Sequence, residues 1–343
     1  MARDWGKLDE DDVRVRPGRG SRPRTRRRPA HEDAVGGFVI AVDRGRYTCL
    51  VGGDGTGRAA RKKGDGPRTV TAMRARELGR KSVVVGDRVR LVGDVSGHAD
   101  ALARVVRIEP RTSTLRRTAD DTDPVERVIV ANADQLVIVT ALADPPPRPG
   151  MIDRCLVAAY DAGLEPLLCL TKADLAAPDP LLETYAPLGI PYVVTRKDEP
   201  VDHLDERLAG RLSVLVGHSG VGKSTLVNAL VPDAERAVSE VNPVTGRGRH
   251  TSSSAVALEL PSADGWIIDT PGVRSFGLAH VTPDDILGAF PDLLEGAAEC
   301  PPHCTHLQDD CALDAWVAAG HADAARLDSL RRLLAAREGD DTD

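Results

Sequence analysis

"RLSVLVGHSGVGKSTLVNAL" (211–230) is the stretch whose reading decides the fold. Its apolar start has strand character, its end is helix-like, and a glycine-rich loop joins them. Inside it, "GHSGVGKS" (217–224) has the pattern G-x-x-x-x-G-K-[ST], with a strand before and a helix after. The glycines let the backbone wrap so that its N–H groups point at phosphate oxygens. Lys223 is expected to reach the β- and γ-phosphates, and the Ser224 hydroxyl to hold Mg²⁺. Gly217, His218, Ser219, Gly220, Val221, Gly222 and Thr225 complete the expected nucleotide contacts of this loop.

Two further pieces belong with such a cradle. "WIIDTPG" (266–272) is a strand running into D-x-x-G. Asp269 at the strand end can hold Mg²⁺, usually through water, and the Gly272 N–H can meet the γ-phosphate. Between the two lies "GRGRHTSSS" (246–254), a Gly- and Arg-rich loop that turns hydroxyl-rich. Thr251 is the expected hydroxyl ligand of Mg²⁺, with Ser252 and Ser253 as alternatives.

The base reader sits elsewhere. "LLCLTKADL" (167–175) resembles N-K-x-D. Asp174 can accept from guanine N1–H and the 2-amino group together. Adenine offers no such donor pair, and an unpaired carboxylate facing an acceptor is costly. Lys172 is expected to lay its stem along the base, with Thr171 and Ala173 completing the motif. Thr171 replaces the usual Asn, keeping a hydrogen-bonding group but losing the amide. This motif precedes the cradle, whereas an ordinary GTPase has it after. Strands are neighbours in space, so a permuted chain can build the same site.

The rest of the chain has separate textures. It has 343 residues and a net charge of -7. Residues 1–30 hold ten Lys or Arg against five Asp or Glu, so they carry +5 and the remainder −12. Residues 1–34, with "RVRPGRGSRPRTRRRP" (14–29), are expected to be a disordered basic arm. It serves either as an electrostatic arm for RNA phosphate or as a solubilising tail. No apolar run is long enough to span a membrane, and the charged start is unlike a secretory signal, so a cytoplasmic location is expected. Residues 35–110 alternate short apolar segments with Gly and Asp, the pattern of a small β-barrel. An oligonucleotide-binding barrel fits, as do other small barrels. Residues 111–281 alternate buried strands with helices, an α/β domain with a mostly parallel sheet. Residues 282–343 are expected to be short helices around a Cys/His cluster. There "CPPHCTHLQDDC" (300–311) gives C-x₃-C-x-H-x₄-C, and three thiolates with one imidazole suit tetrahedral Zn²⁺. Cys300, Cys304 and Cys311 are the thiolates; His306 and His303 compete for the fourth place. Cys49, Cys155 and Cys169 lie in apolar stretches and are expected to be buried thiols.

The motif order, base reader, phosphate loop, "GRHT", "DTPG", resembles the circularly permuted RsgA family, also called YjeQ. Further matching pieces are "RTSTLRR" (111–117), "ERVIVANADQLVIVTAL" (126–142), "MIDRCLVAAYDAG" (151–163), "DTPGVRSFGL" (269–278) and the terminal cluster. The resemblance covers roughly residues 35–335. It implies an oligonucleotide-binding barrel, a permuted P-loop GTPase domain and a C-terminal zinc domain. It implies GTP and GDP with Mg²⁺, one structural Zn²⁺ held with His306 as the imidazole ligand, and action late in small-subunit assembly on the subunit and its rRNA. The subunit is expected to stimulate hydrolysis; a monomer with no membrane partner is expected.

Three departures stand out. "VVTRKDEP" (193–200) takes the place of a Ser-Ala-Lys loop, with Thr195 as the stand-in. Each outer spacing of the zinc cluster is one residue shorter than the family's. Val273 occupies the position where many GTPases carry a water-orienting Gln. The resemblance and the loop's chemistry point to His250 as its replacement, since an imidazole can accept a proton or orient water near neutral pH. The alternative is that RNA supplies that group. Two other functions stay open at this point: a nucleotide-latched RNA chaperone with negligible turnover, and an ATPase with an accidental "TKAD".

Overall fold

One strand, β1 (Val35–Asp43), serves three cores at once. Five consecutive residues, Phe38 to Ala41 among them, are buried or nearly so, with no polar alternation. A strand shows that pattern when both faces are covered. Val39 points into the barrel core. Phe38 and Ile40 join the main core, where the Phe38 ring meets Trp266 edge-on at 5.5 Å. Ala41 joins the third cluster and pairs with Val256 of the α/β part. The computed structural model describes residues 31–43, 45–52, 66–78, 82–118, 126–232, 234, 255–261, 264–270, 278, 280–308 and 310–338. Most of the expected basic arm lies outside them.

The barrel adds β2 (Arg46–Val51), β3 (Arg68–Arg74), β4 (Arg88–Gly93) and β5 (Ala103–Ile108). Neighbours run β1-β2-β3-β5-β4, and β4 pairs back onto β1. Only β3 and β5 pair in parallel. Closure of five strands with a crossover is what selects the oligonucleotide-binding-type barrel over the other small barrels the pattern allowed. A two-stranded hairpin, β6 (Thr114–Thr118) and β7 (Glu126–Ala131), follows.

The barrel meets the next domain at a tight seam. Gly86 has φ +91, and a Cβ there would lie 1.9 Å from the Ala131 carbonyl oxygen, so only glycine fits. Asn132 donates from Nδ2 to Gly86 O at 2.8 Å and accepts from Thr112 N at 2.9 Å. The fully buried Asp87 receives both Nε and Nη2 of Arg111, at 2.8 and 2.9 Å. A buried carboxylate needs such a two-point partner. The "RTS" and "ANAD" pieces of sequence are thus the two sides of one joint.

Through the β1–β12 pairing the barrel strands continue into the α/β part of the same sheet, which contains β8 (Gln135–Ala141), β9 (Glu165–Thr171), β10 (Tyr192–Val194), β11 (Leu212–Val216), β12 (Val256–Glu259) and β13 (Trp266–Asp269). Their order is β10-β9-β8-β11-β13-β12, with β12 antiparallel to its neighbour β13 and the other pairs parallel. Every residue of β8 and β11 is buried, because helices cover both faces. On one face lie α1 (Pro149–Asp161) and α2 (Asp179–Tyr185); on the other, α3 (Asp202–Leu208) and α4 (Lys223–Leu230).

The C-terminal part is four helices: α5 (Pro283–Leu287), α6 (Pro291–Ala297), α7 (Ala312–Ala318) and α8 (Ala324–Glu338). α5 begins with a reciprocal cap. Thr282 Oγ1 accepts from Asp285 N, and the Asp285 carboxylate accepts from Thr282 N at 2.7 Å. Ile286, Phe290, Leu293 and Leu330 from these helices share one core with α1. Among the described residues, no helix is long and apolar enough to cross a membrane.

Candidate nucleotide and metal sites

Because β8, β9, β10, β11 and β13 run in parallel, their carboxyl ends line one edge of the sheet. In open α/β sheets that edge is where ligands bind. The cradle follows β11, the base motif follows β9, the 193–200 loop follows β10, and Asp269 closes β13. The unusual order of motifs along the chain therefore leaves their order in space intact.

The cradle glycines have distinct reasons. A Cβ at Gly217 would lie 2.6 Å from Val139 O, so the chain can pass β8 only as glycine. Gly220 and Gly222 are left-handed, at φ +85 and +91, which turns the loop into α4. The helix starts at Lys223, so its free N–H groups and positive dipole end face the loop's interior. Ser224 and Thr225 are exposed on that first turn. His218 donates from Nδ1 to Ser219 O at 2.9 Å.

Thr171 answers for the missing Asn. Its hydroxyl is buried and lies 2.6 Å from Val221 O, so the base motif is bonded directly to the cradle. The loop after β10 is bonded to the same motif. Ala173 N donates to Thr195 O at 3.2 Å, and Lys197 N to Asp174 Oδ1 at 3.3 Å. The Asp174 side chain is otherwise open to solvent at the sheet edge. Lys172, in a left-handed conformation, donates from Nζ to Asp144 O.

Lys223 and Asp269 stand together. Lys223 Nζ is 2.7 Å from Asp269 Oδ1 and 2.8 Å from Thr270 O, in a largely enclosed setting. The Thr270 hydroxyl donates to Leu215 O at 2.8 Å, tying the end of β13 to β11. The two groups expected to meet phosphate and Mg²⁺ thus neutralise each other across the gap that a metal–nucleotide would enter. His250, Thr251, Ser252, Ser253, Gly272 and Val273 lie outside the described residues.

One wall of this site was not foreseen from sequence. The residues after β8, with "PPPRPG" at 145–150, back the cradle. Pro145, Pro146, Arg148, Met151 and Ile152 line a narrow gap together with His218 and Val221. The available signal was position: a proline run directly after a wholly buried strand must leave the sheet at its ligand edge.

The metal set is well formed. The ligand atoms of Cys300, Cys304, His306 and Cys311 all lie within 4.8 Å of one another. Cys300 Sγ and Cys311 Sγ are 3.8 Å apart, and His306 Nδ1 is 3.7 and 3.6 Å from them. Tetrahedral Zn²⁺ with Zn–S of about 2.3 Å and Zn–N of about 2.0 Å requires edges of roughly 3.5–3.8 Å. The residues therefore fit Zn²⁺, and the shortened spacings do not prevent it. His306 is buried with its ring turned inward, whereas His303 is exposed and outside the group. Burial holds the His306 imidazole below the usual histidine range, which keeps it neutral for ligation. Burial, with Cys300 beside it, pushes the Cys311 thiol up to about 12; a cation is what makes a thiolate tenable there. Cys49, Cys155 and Cys169 are buried and pushed up to about 12 by that burial, as inert core thiols should be.

Known proteins resemble this chain in sequence and in fold. The family model described as RsgA GTPase matches residues 108–279, half of the chain. A small ribosomal subunit biogenesis GTPase RsgA from Chlorobaculum parvum is 37% identical over 286 residues, covering 79% of this chain and 92% of the relative. One of the same name from Ectopseudomonas mendocina is 38% identical over 270 residues, covering 76% of each. Among solved structures, YjeQ from Thermotoga maritima superposes with a TM-score of 0.62 at 24% identity, over 90% of this chain and 99% of that one. YloQ, described as a circularly permuted GTPase, gives 0.61 at 21% identity, over 91% of this chain and 98% of its own.

Proposed function

The chain belongs to the RsgA GTPase family and hydrolyses GTP, and from that premise we propose that it acts in late maturation of the small ribosomal subunit, whose binding stimulates its turnover. The observation that carries this reading is the Thr171–Val221 bond, which joins the "TKAD" segment to the 217–224 loop at one sheet edge and so supports a single guanine-nucleotide site there. Charge supports an RNA partner. Residues 35–110 hold 15 Lys or Arg against 8 Asp or Glu, a net of +7, while residues 111–343 hold 20 against 37. Residues 35–110 are thus a basic stretch of an otherwise acidic sequence, which suits rRNA phosphate. The protein works as a cytoplasmic monomer that exchanges GTP and GDP.

In this mechanism Asp174 accepts from guanine, while Lys172 flanks the base and Ala173 and Thr195 hold the loop that closes over it. The amides of residues 217–225 and of Gly272 receive the phosphates. Lys223 would leave Asp269 for the β- and γ-phosphates, and Asp269, Ser224 and Thr251 would be the residues to hold Mg²⁺. A Mg²⁺ held there would supply charge neutralisation as the γ-phosphoryl group is transferred. His250 orients the attacking water, the task Val273 cannot perform. Cys300, Cys304, His306 and Cys311 would hold one Zn²⁺, and with four protein ligands that metal would be structural.

His250→Ala is expected to leave GTP affinity unchanged and to lower subunit-stimulated turnover by about 100-fold. Single-turnover hydrolysis with purified small subunits measures it. Unchanged stimulated turnover would assign the water-orienting group to the subunit's RNA instead.

A further inference from the structure

The zinc loop is joined to α1 of the GTPase domain through a single helix, α8. α8 carries Arg331 and Arg332 side by side, and they face opposite ways. Arg331 serves the zinc loop: its Nε donates to His306 O at 3.1 Å, and its two terminal nitrogens hold Asp314 at 2.9 and 2.6 Å. Arg332 serves the GTPase domain: its Nε lies 3.2 and 3.1 Å from the two carboxylate oxygens of Asp153. Its guanidinium sits 4.9 Å over the Tyr185 ring.

Asp153 is 2% exposed and lies on α1, one turn after the helix begins. Burial pushes its carboxyl up, and Arg332 opposes that. Tyr185 also grips the start of α1, donating from its hydroxyl to Pro149 O at 3.1 Å. The residues just before and within that first turn form the wall behind the cradle. A Cβ at Gly220 would lie 3.5 Å from Pro145 Cδ. The chain of neighbours thus runs from the zinc loop through Arg331, Arg332, Asp153 and α1 to the wall that faces the phosphate loop across a narrow gap.

We propose that Arg332 and Asp153 form a strut through which zinc occupancy and nucleotide binding strengthen each other. Arg332 is a positioning residue; it acts through α1 on the 145–148 wall and thence on the cradle. This rests on the assignment of the cradle to GTP and of the cluster to zinc. The physical basis is that leaving the buried Asp153 carboxylate without its Arg332 partner is costly, so displacing α8 disfavours the present position of α1. Coupling of this kind is reciprocal: what zinc does for GTP affinity, GTP must do for zinc affinity.

The test measures both directions on the full chain. Affinity for a fluorescent GTP analogue is determined with zinc bound and after extraction. Zinc affinity is determined by competition with a chromogenic chelator, with and without GTP. Wild type is expected to lose GTP affinity by about tenfold on zinc removal and to bind zinc more tightly with GTP by the same factor. Arg332→Ala is expected to keep its zinc, bind GTP about tenfold more weakly and show no effect of GTP on zinc. Arg332→Lys should restore part of the coupling, which a general loss of stability would not do. The wild-type linkage needs no variant, so a poorly folding Arg332→Ala leaves the question answerable. If wild type binds both ligands and neither affects the other, the strut is wrong and the sites stand. If wild type binds no guanine nucleotide or no zinc, the site assignments fall, and the strut with them.

Discussion

Asp174→Asn is expected to weaken GTP binding by roughly a hundredfold, about 3 kcal/mol, while leaving the weak affinity for ATP unchanged. The carboxylate accepts from two guanine donors at once, and each such bond to a charged acceptor is worth about 1.5–3 kcal/mol. Asparagine keeps one acceptor but turns a donor toward the guanine 2-amino group. The same change should favour xanthine nucleotides, whose C2 carbonyl accepts from the new amide. The structure leaves Asp174 open for this role: Lys197 N at 3.3 Å is a modest partner, and the side chain faces the edge where the cradle lies. Competition binding with GTP, ATP and XTP measures the effect. An unchanged preference for GTP would remove "TKAD" as the base reader.

Loss of zinc is expected to have the largest effect on stability. Cys311→Ser, or extraction by a strong chelator, should empty the site and disorder the 300–311 loop around it. Structural Zn²⁺ contributes on the order of 10 kcal/mol or more of apparent binding free energy in small zinc domains. This cluster sits under a short run of helices that could not order the 300–311 loop by themselves. The damage should spread, because Phe290, Leu293, Leu313 and Leu330 are part of the core that also holds α1 and β8. The melting temperature of the chain is expected to fall by about 10 °C or more, given roughly 2–4 °C per kcal/mol for domains of 150–250 residues. Metal content by atomic absorption and calorimetry check this together. His303→Ala is the control and should retain one zinc per chain. A Cys311→Ser variant with full zinc content and an unchanged melting temperature would contradict the assignment.

What the sequence disclosed follows a physical division. The cradle, "TKAD" and the Cys/His cluster are legible because each packs its chemistry into about a dozen residues with fixed spacing. The parallel sheet is legible because β8 and β11 are buried on both faces and so read as unbroken apolar runs. The identity of the barrel was not legible, since strand alternation says nothing about which strands pair; closure of β4 onto β1 decides it. Nor was the triple duty of β1, whose five buried residues look like any core strand. Thr171 looked like a weakened Asn until its hydroxyl was found on Val221 O, 50 residues later. The Asp153–Arg332 pair is 179 residues apart along the chain, and nothing local marks either residue as the other's partner. Contacts set by tertiary packing leave no periodic trace.

The central claim is that this chain is a guanine-specific hydrolase driven by the small ribosomal subunit. The measurement that tests it most directly is phosphate release from GTP and from ATP, each with and without purified small subunits. The account predicts slow turnover of GTP alone, a strong rise when subunits are added, and no turnover of ATP in either case. Hydrolysis of ATP at a comparable rate, or GTP turnover indifferent to the subunit, would contradict it.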